Sequence, residues 1–147
     1  MNSILHGQRL LVLPDRHRAL LAEYDYFLHY DLLHVRWHGH LTAAALVEGT
    51  QAGMALFSGR PLPRRLLSDN SQTSGEWEDA IPWLHYEWLP QASSQGLQLL
   101  AHVLQPDSEA PLEKAAGGAD FWEVLSSRLR VRSFRGQAAA WQWATTR

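Results

Sequence analysis

The chain of 147 residues contains no cysteine. Disulfide bonds, thiolate metal ligands and cysteine nucleophiles are therefore excluded. Their absence suits a reducing compartment, and we expect the protein to be cytoplasmic. A chain of this length fits one domain and buries enough apolar surface to fold without covalent cross-links.

An excess of charge is also missing. The net charge is -2 at pH 7, and the isoelectric point is about 6.4. The longest basic cluster, "RPLPRR" at residues 60–65, is too short for the broad basic surface of nucleic-acid binders. The composition therefore predicts no nucleic-acid partner.

Long hydrophobic runs are absent as well. No run approaches the roughly 20 apolar residues that cross a membrane. The first residues lack the basic, apolar and cleavage regions of a signal peptide. We therefore expect no membrane span.

Alternating apolar and polar residues form the clearest pattern that is present. Residues 26–30 and 32–38 alternate with a period of two, which is typical of half-buried strands. The pattern predicts a β-hairpin with its turn near Asp31 and its second strand ended by Gly39.

Helices and strands alternate after this hairpin. Thr42 can cap a first helix, in which Gly49 and Gly53 lie on one face and predict close packing of another backbone. The apolar run "LQLLAHVL" at residues 97–104 predicts an inner strand covered on both faces. The order β-β-α-β-α-β-α-β-α predicts an α/β fold with a mixed sheet of about five strands.

The two less regular parts of the chain are its start and the segment at residues 105–120. The start contains "RLLVLPD", which is compatible with a short strand, and "DRHRALLAEY", which predicts a helical turn capped by Asp15. We predict an N-terminal extension at residues 1–23 and a single domain at residues 24–147. The segment "QPDSEAPLEKAAGGAD" predicts a loop.

A polar loop is predicted after the short strand "RRLLSDN". Ligands of α/β proteins bind beyond the carboxyl ends of strands, and free N–H groups at a helix start attract anions. Thr73 and Glu76 have the spacing of a capping box. The same residue types also turn the chain and cap helices without any further function, so both roles stay open for this loop.

Seven tryptophans are unusual in so short a chain. Trp37 and Trp88 fall on stripes that are predicted to face the core. Trp83 and Tyr86 lie off the apolar stripe of their helix. Such off-stripe aromatic residues fill a core, form a dimer interface or line an apolar pocket.

Residues for catalysis or metal binding do not form a recognisable set. His34 and His38 share a strand face but lie about 13 Å apart along it, too far for one metal ion. His85 and Glu87 diverge, because residues two apart on a helix do not face each other. Since catalytic triads, nucleophile elbows and phosphate loops are also missing, the sequence predicts no catalytic residue, no metal and no cofactor.

Several stretches together resemble the STAS-like proteins, relatives of the anti-sigma-factor antagonists that are also similar to CRAL-TRIO lipid-binding domains. These stretches are "VRWHGHLTAA", "LLSDN", "WLHYEWLP", "GLQLLAHVL" and "VRSF" followed by "AAAWQW". The resemblance implies a small α/β domain, often dimeric, that acts as a regulatory or binding module. In the antagonists, a serine after a central strand is phosphorylated. Ser71, Thr73 and Ser74 occupy that place, but of the Asp-Ser-Ser-Gly signature only Ser74-Gly75 is present.

Three functions follow as expectations. The first is a non-enzymatic regulatory or protein-interaction module that binds an unknown protein partner and forms a homodimer. The second is a carrier or sensor of a small apolar or lipid-like ligand, and the third is a phosphorylated switch at Ser71, Thr73 or Ser74. The predicted ligand- or partner-binding residues are Asp69, Asn70, Ser71, Thr73, Ser74, Trp83 and Tyr86.

Overall fold

The computed structural model describes residues 7–106 and 118–146, and the predicted loop at residues 105–120 lies largely outside this part. Within it, six strands form one sheet whose spatial order follows the chain order. The strands are β1 (Gln8–Pro14), β2 (Leu20–Phe27), β3 (Leu32–His40), β4 (Arg65–Ser74), β5 (Leu99–Val103) and β6 (Arg130–Phe134). The first three strands are antiparallel and β3 to β6 are parallel. The prediction of an α/β fold with a mixed sheet is confirmed.

Helices connect the parallel strands and follow the last one. They are α1 (Ala43–Ala55), α2 (Ile81–Trp83), α3 (Leu89–Ser94), α4 (Gly118–Arg128) and α5 (Gln137–Thr145). Thr42 caps α1 as predicted, because its hydroxyl oxygen accepts a hydrogen bond of 3.1 Å from the Ala45 N–H. A cap of this kind satisfies one of the free N–H groups in the first helical turn.

The first described residues belong to the sheet. Strand β1 pairs antiparallel with β2, so the expected boundary after residue 23 falls inside β2. The expected helix capped by Asp15 is wrong: Asp15 Oδ1 accepts hydrogen bonds from the N–H groups of His17 (2.7 Å) and Ala19 (3.0 Å). The Asp15 side chain therefore closes the turn between β1 and β2, a common use of aspartate in turns.

The hairpin of β2 and β3 turns at Asp31, as predicted, but the expected first strand at residues 26–30 is wrong, because β2 ends at Phe27 and Leu28–Tyr30 form a 3-10 turn. Asp31 has φ 49°, and its carboxylate accepts hydrogen bonds from the Tyr26 hydroxyl (2.8 Å) and the Arg64 N–H (3.1 Å). The expected end of β3 at Gly39 is wrong, since the strand continues to His40. Gly39 adopts φ 78°, a conformation that glycine accepts without strain, so the ladder to β4 is not interrupted there.

Residues 78–94 form one continuous helical segment of changing pitch, which we call the mixed helix. It begins with a 3-10 turn at Glu78–Ala80, continues through α2, widens to a π-helix at Leu84–Trp88 and ends with α3. In the π-helical part the Leu89 N–H bonds to the Leu84 carbonyl. Pro90 has no N–H to continue the α-helical pattern, and prolines are a common cause of such irregularities.

Two apolar layers cover the two faces of the sheet. On one face, α1, the mixed helix and α4 pack against alternate residues of the strands, including Val35 and Leu100. On the other face, α5 packs its Ala140 and Ala144 against residues such as Leu67 of the central strands. Strand β5 is buried at all five positions, which confirms the prediction of an inner strand.

The pair of glycines in α1 admits two aromatic rings. A Cβ atom at Gly49 would lie 2.4 Å from the ring of Trp37, and one at Gly53 would lie 2.4 Å from the Tyr24 hydroxyl oxygen. The Tyr24 hydroxyl donates a hydrogen bond of 2.8 Å to the Gly49 carbonyl. The expectation of a neighbouring backbone is therefore wrong, because side chains from β2 and β3 occupy that space.

The α5 side of strands β1 to β3 carries an ionic cluster. Glu23 contacts Arg9 (3.1 Å), Arg36 (3.6 Å) and His38 (2.7 Å), and Asp25 contacts Arg9 (2.5 Å) and Arg36 (3.0 Å). Burial alone would raise the pKa of Glu23, but the hydrogen bond from His38 and the charges of Arg36 and Arg9 lower it below its ordinary value. The cluster links the three antiparallel strands on their polar face.

Candidate functional site

A cavity of about 110 Å³ lies between the sheet and the helices on its α1 side. Strands β2 to β5, α1, the mixed helix and α4 all contribute to its wall. Most of the lining is apolar; among these residues are Leu33, Leu46, Met54, Trp88, Leu100 and Phe121. Protein interiors are normally packed as densely as organic crystals, so we regard this helix-side cavity as the candidate site.

One part of the cavity wall is polar. It is formed by Ser68 and Asn70 of β4 and by His102 of β5, with the indole rings of Trp37 and Trp77 beside them. Ser68 and His102 are direct neighbours in the β4–β5 register. The Trp37 indole N–H donates a hydrogen bond of 3.3 Å to Ser68 Oγ. The cavity therefore combines an apolar body with a small group of hydrogen-bonding side chains, a composition typical of small-molecule sites.

An irregularity in β4 positions Asn70. In the β3–β4 register Arg36 is opposite Asp69, whereas His38 is opposite Gln72. Trp37 alone therefore faces two residues of β4, which is the geometry of a β-bulge, and bulges re-aim side chains next to functional sites. Asn70, at this bulge, lines the cavity.

The side-chain oxygen of Asn70 has no hydrogen-bond partner. The residue is only 2% exposed, and its Oδ1 atom is buried without a partner in the described part of the chain. An unpaired buried acceptor costs about 1–3 kcal/mol. Such groups are rare in folded proteins and call for an explanation. Here, the residue lines a cavity, while its side-chain oxygen is itself buried.

His102 is uncharged at neutral pH. Burial lowers its pKa to about 4, and the negative charge of Asp69 opposes this effect only in part. Its ring meets the Trp77 ring edge-on, with the ring centres 5.9 Å apart. His102 therefore presents a neutral imidazole to the cavity, with one nitrogen able to donate and the other able to accept a hydrogen bond.

Asp69 faces the opposite side of the sheet from Asn70. Its carboxylate accepts hydrogen bonds from the Ser71 N–H (2.9 Å) and from the Gln137 side-chain amide, and His34 Nε2 lies 3.7 Å away. Burial alone would raise the pKa of Asp69, but His34, Ser71 and Gln137 outweigh it and lower the pKa to about 2. Asp69 is therefore ionised at neutral pH. Since Gln137 is the first residue of α5, its hydrogen bond to Asp69 attaches α5 to the sheet.

The predicted polar loop is a strand. Strand β4 runs to Ser74 and pairs with β3 to its end, because parallel pairing with β3 satisfies its backbone groups. The expected capping box is also wrong: the Thr73 hydroxyl donates to the Asn70 carbonyl at 2.8 Å, and the helical segment after β4 has no side-chain cap at Trp77.

The structure separates the predicted binding residues. Asn70 lines the cavity and Asp69 lies on the other face of the sheet. Ser71 is half-buried, Thr73 is buried and Ser74 is exposed, so Ser74 has the most accessible hydroxyl of the three candidate phosphorylation sites. Phosphorylation at any of them stays a prediction.

The two predicted aromatic residues of the mixed helix also lie outside the cavity. Trp83 is half-buried and packs against the core. Tyr86 is 71% exposed, and its ring stacks on His85 with the ring centres 4.2 Å apart. Tyr86 therefore marks the outer surface of the mixed helix.

Sequence reasoning missed Ser68, Trp77 and His102 as site residues. One signal was present: His102 interrupts the apolar run of an inner strand. A polar side chain in a strand buried on both faces needs a partner or a function. The positions of Ser68 and Trp77 carried no comparable signal.

The fold and the cavity define an α/β protein with an apolar interior site. In a comparison with protein-family models no family matches the chain, and no curated protein matches it either. Within residues 7–106 and 118–146, histidine and acidic side chains nowhere form a group of three that could hold a metal ion. In the same ranges, each helix is too short or too polar to cross a membrane.

Proposed function

We propose that the protein binds a small, largely apolar ligand in the helix-side cavity and acts as its carrier or sensor without a chemical reaction. The observation that carries this proposal is a largely apolar cavity of about 110 Å³ with Ser68, Asn70 and His102 in one part of its wall. A void of this size forfeits dispersion contacts of its lining, and a ligand would restore them.

The size of the cavity limits the ligand. A dry apolar cavity of about 150 Å³ admits benzene, so a cavity of about 110 Å³ suits a molecule with on the order of four or five non-hydrogen atoms. The rings of Trp37, Trp77 and Trp88 line the cavity, and aromatic faces pack well against planar apolar ligands.

The resemblance to STAS-like and CRAL-TRIO domains supports the same class of function. Membership of the STAS-like family is part of this proposal, as is a cytoplasmic location, which the absence of cysteine supports. Under this proposal the protein binds an apolar molecule as a carrier or a sensor and does not change it chemically.

A cavity-filling variant tests the proposal. Leu100 lines the cavity, so Leu100→Phe should fill it and weaken the binding of furan or xenon at least tenfold, because overpacking excludes the ligand. Binding is measured by tryptophan fluorescence, and native mass spectrometry of protein from a bacterial lysate shows any co-purified ligand.

The matched control is Leu28→Phe, the same substitution at a residue that is 80% exposed, and it should bind like the wild type. The proposal is contradicted if both variants bind the probes equally well. It is also contradicted if the wild type binds no apolar probe and native mass spectrometry shows only the mass of the protein without a ligand.

Protein contact through the mixed helix is a second candidate function, and the exposed Tyr86 favours it. An aromatic side chain that is 71% exposed and held in place by stacking on His85 is of the type enriched at interfaces. Under this proposal the chain is a homodimer or meets an unknown protein partner. Light scattering after size-exclusion chromatography should show a dimer, and Tyr86→Ser should shift it toward the monomer. A wild-type protein that stays monomeric at high concentration contradicts the proposed dimer.

A further inference from the structure

We infer that the ligand enters the helix-side cavity from a surface groove between α1 and the mixed helix, and that the side chains of Met54 and Trp88 form the gate between groove and cavity. The inference rests on the proposed function, because it names the route into the same cavity. It also gives a role to the change of helical pitch at Leu84–Trp88.

A groove of about 340 Å³ lies between α1 and the mixed helix, and we call it the outer groove. Most of the residues that line it are polar or small and exposed to solvent: Gln51, Ala55, Ser58, Glu87 and Gln91. The outer groove is therefore open to water, in contrast to the apolar cavity.

Two side chains belong to both spaces. Met54 of α1 and Trp88 of the mixed helix line the outer groove and also line the helix-side cavity. Trp88 is 7% exposed, and Met54 is half-buried. A single layer of side chains therefore separates the cavity from the solvent at this place, and a ligand passes when these two side chains move apart.

The contacts around Met54 allow such a movement. Its side chain is unbranched and has three rotatable bonds, so it adapts readily to a changing space. Within residues 7–106 and 118–146, no hydrogen bond or ion pair joins α1 to the mixed helix. The two are linked beyond the end of the mixed helix, where the Gln95 side-chain amide donates to the Phe57 and Arg60 carbonyls, each at 3.1 Å. Opening the gate therefore breaks only apolar contacts between the two elements.

The gate coincides with the π-helical part of the mixed helix. Trp88 is the last residue of this part, and Leu84, its first residue, also lines the cavity. π-helical turns are rare and are found frequently at functional sites. The change of pitch thus points to the same place as the side chains that the groove and the cavity share.

Filling the outer groove tests the route without changing the cavity. Ala55 is exposed and lines the groove but not the cavity, so Ala55→Phe should obstruct the path and leave the bound state as it is. We expect the association and dissociation rates of furan and xenon to fall together by about tenfold, with the dissociation constant unchanged within about twofold. Stopped-flow tryptophan fluorescence measures furan, and saturation-transfer xenon NMR measures xenon.

The matched control is Ala44→Phe, the same substitution at another exposed position of α1 that lies outside the groove. Its association and dissociation rates should equal those of the wild type.

Shortening the gate should have the opposite effect. Met54→Ala should raise the association rate of both probes by about tenfold, because opening the gate then no longer limits entry. Leu46→Ala is the comparison, since Leu46 lines the cavity but not the groove. This variant enlarges the cavity and changes the dissociation constant, but it should not raise the association rate. Circular dichroism checks that both variants fold.

The outcomes separate the inference from the proposed function. If furan and xenon bind but Ala55→Phe exchanges them as fast as the wild type, the ligand uses another route and the inference is wrong while ligand binding stands. Equal association rates of Met54→Ala and Leu46→Ala also overturn the gate. If neither molecule binds the wild type, the proposed function fails together with the inference.

Discussion

Asn70 and Asp69 are neighbours in the chain but have opposite surroundings. Successive side chains of a strand point to opposite faces, so Asp69 meets Ser71 and Gln137 on the α5 side, and Asn70 meets the cavity. The sequence identified both residues as polar and potentially functional. It did not separate the ionised residue that holds α5 from the uncharged residue that lines the cavity.

The buried His102 should make stability depend on pH. Its pKa is about 4 in the folded protein and 6.5 when unperturbed, so between these values the unfolded state binds the proton and the folded state does not. The stabilisation from neutral His102 is complete above about pH 6.5 and is lost as the pH falls toward 4. Lowering the pH from 7.5 to 5 should therefore reduce the free energy of unfolding by about 2 kcal/mol. Urea unfolding at the two pH values measures this difference.

His102→Gln should remove this part of the pH dependence, whereas His29→Gln, at an exposed position, should keep it. Parallel stability curves for the wild type and His102→Gln between pH 7.5 and pH 5 would show that His102 does not remain neutral in the fold.

Helix α1 illustrates how an element predicted from sequence acquires its packing from other elements. The cap at Thr42 and the helical pattern predicted the helix correctly. The reason for its two glycines lay in Tyr24 and Trp37, which are distant in the chain and reach α1 from two strands. A local pattern cannot show which distant side chain will occupy the space that a glycine leaves.

Gly49→Ala should destabilise the protein although alanine is the better helix former. Intrinsic propensity favours alanine by about 1 kcal/mol, but the new Cβ would lie 2.4 Å from the Trp37 ring, and overpacking of a core costs about 1–3 kcal/mol. We expect a net loss in the free energy of unfolding of about 1 kcal/mol, measured in urea.

The double variant Gly49→Ala with Trp37→Leu should lose less stability than the sum of the two single changes, because the smaller side chain removes the clash. Strict additivity, or a more stable Gly49→Ala protein, would contradict the packing described for α1.

The whole molecule has two different sheet faces. Three helical elements and the cavity lie on one face, while α5 and the ionic cluster of Arg9, Glu23, Asp25, Arg36 and His38 lie on the other. Strand β1 contributes to both, since Leu11 and Leu13 pack against the core and Arg9 joins the cluster. Strand β1, residues 8–14, is therefore part of the folded unit.

Deleting residues 1–15 should destabilise the protein by about 2 kcal/mol or more, because β2 loses its outer neighbour and the three half-buried leucines Leu10, Leu11 and Leu13 are removed. The control Arg9→Met keeps β1 and removes only a partly exposed charge, so it should cost less than about 1 kcal/mol. Urea unfolding measures both. If the deletion leaves stability unchanged, residues 8–14 belong to the N-terminal extension that the sequence predicted, outside the stable domain.

The sequence by itself determined the class of fold, the hairpin turn at Asp31, the buried strand β5 and the core position of Trp88. These features depend on local periodicity and on residues close in the chain. Only the tertiary structure decided that β4 continues to Ser74, which face each of its polar residues occupies, and that a cavity remains beside Asn70. The physical reason is that strand pairing, the bulge opposite Trp37 and the space left between packed side chains depend on elements far apart in sequence.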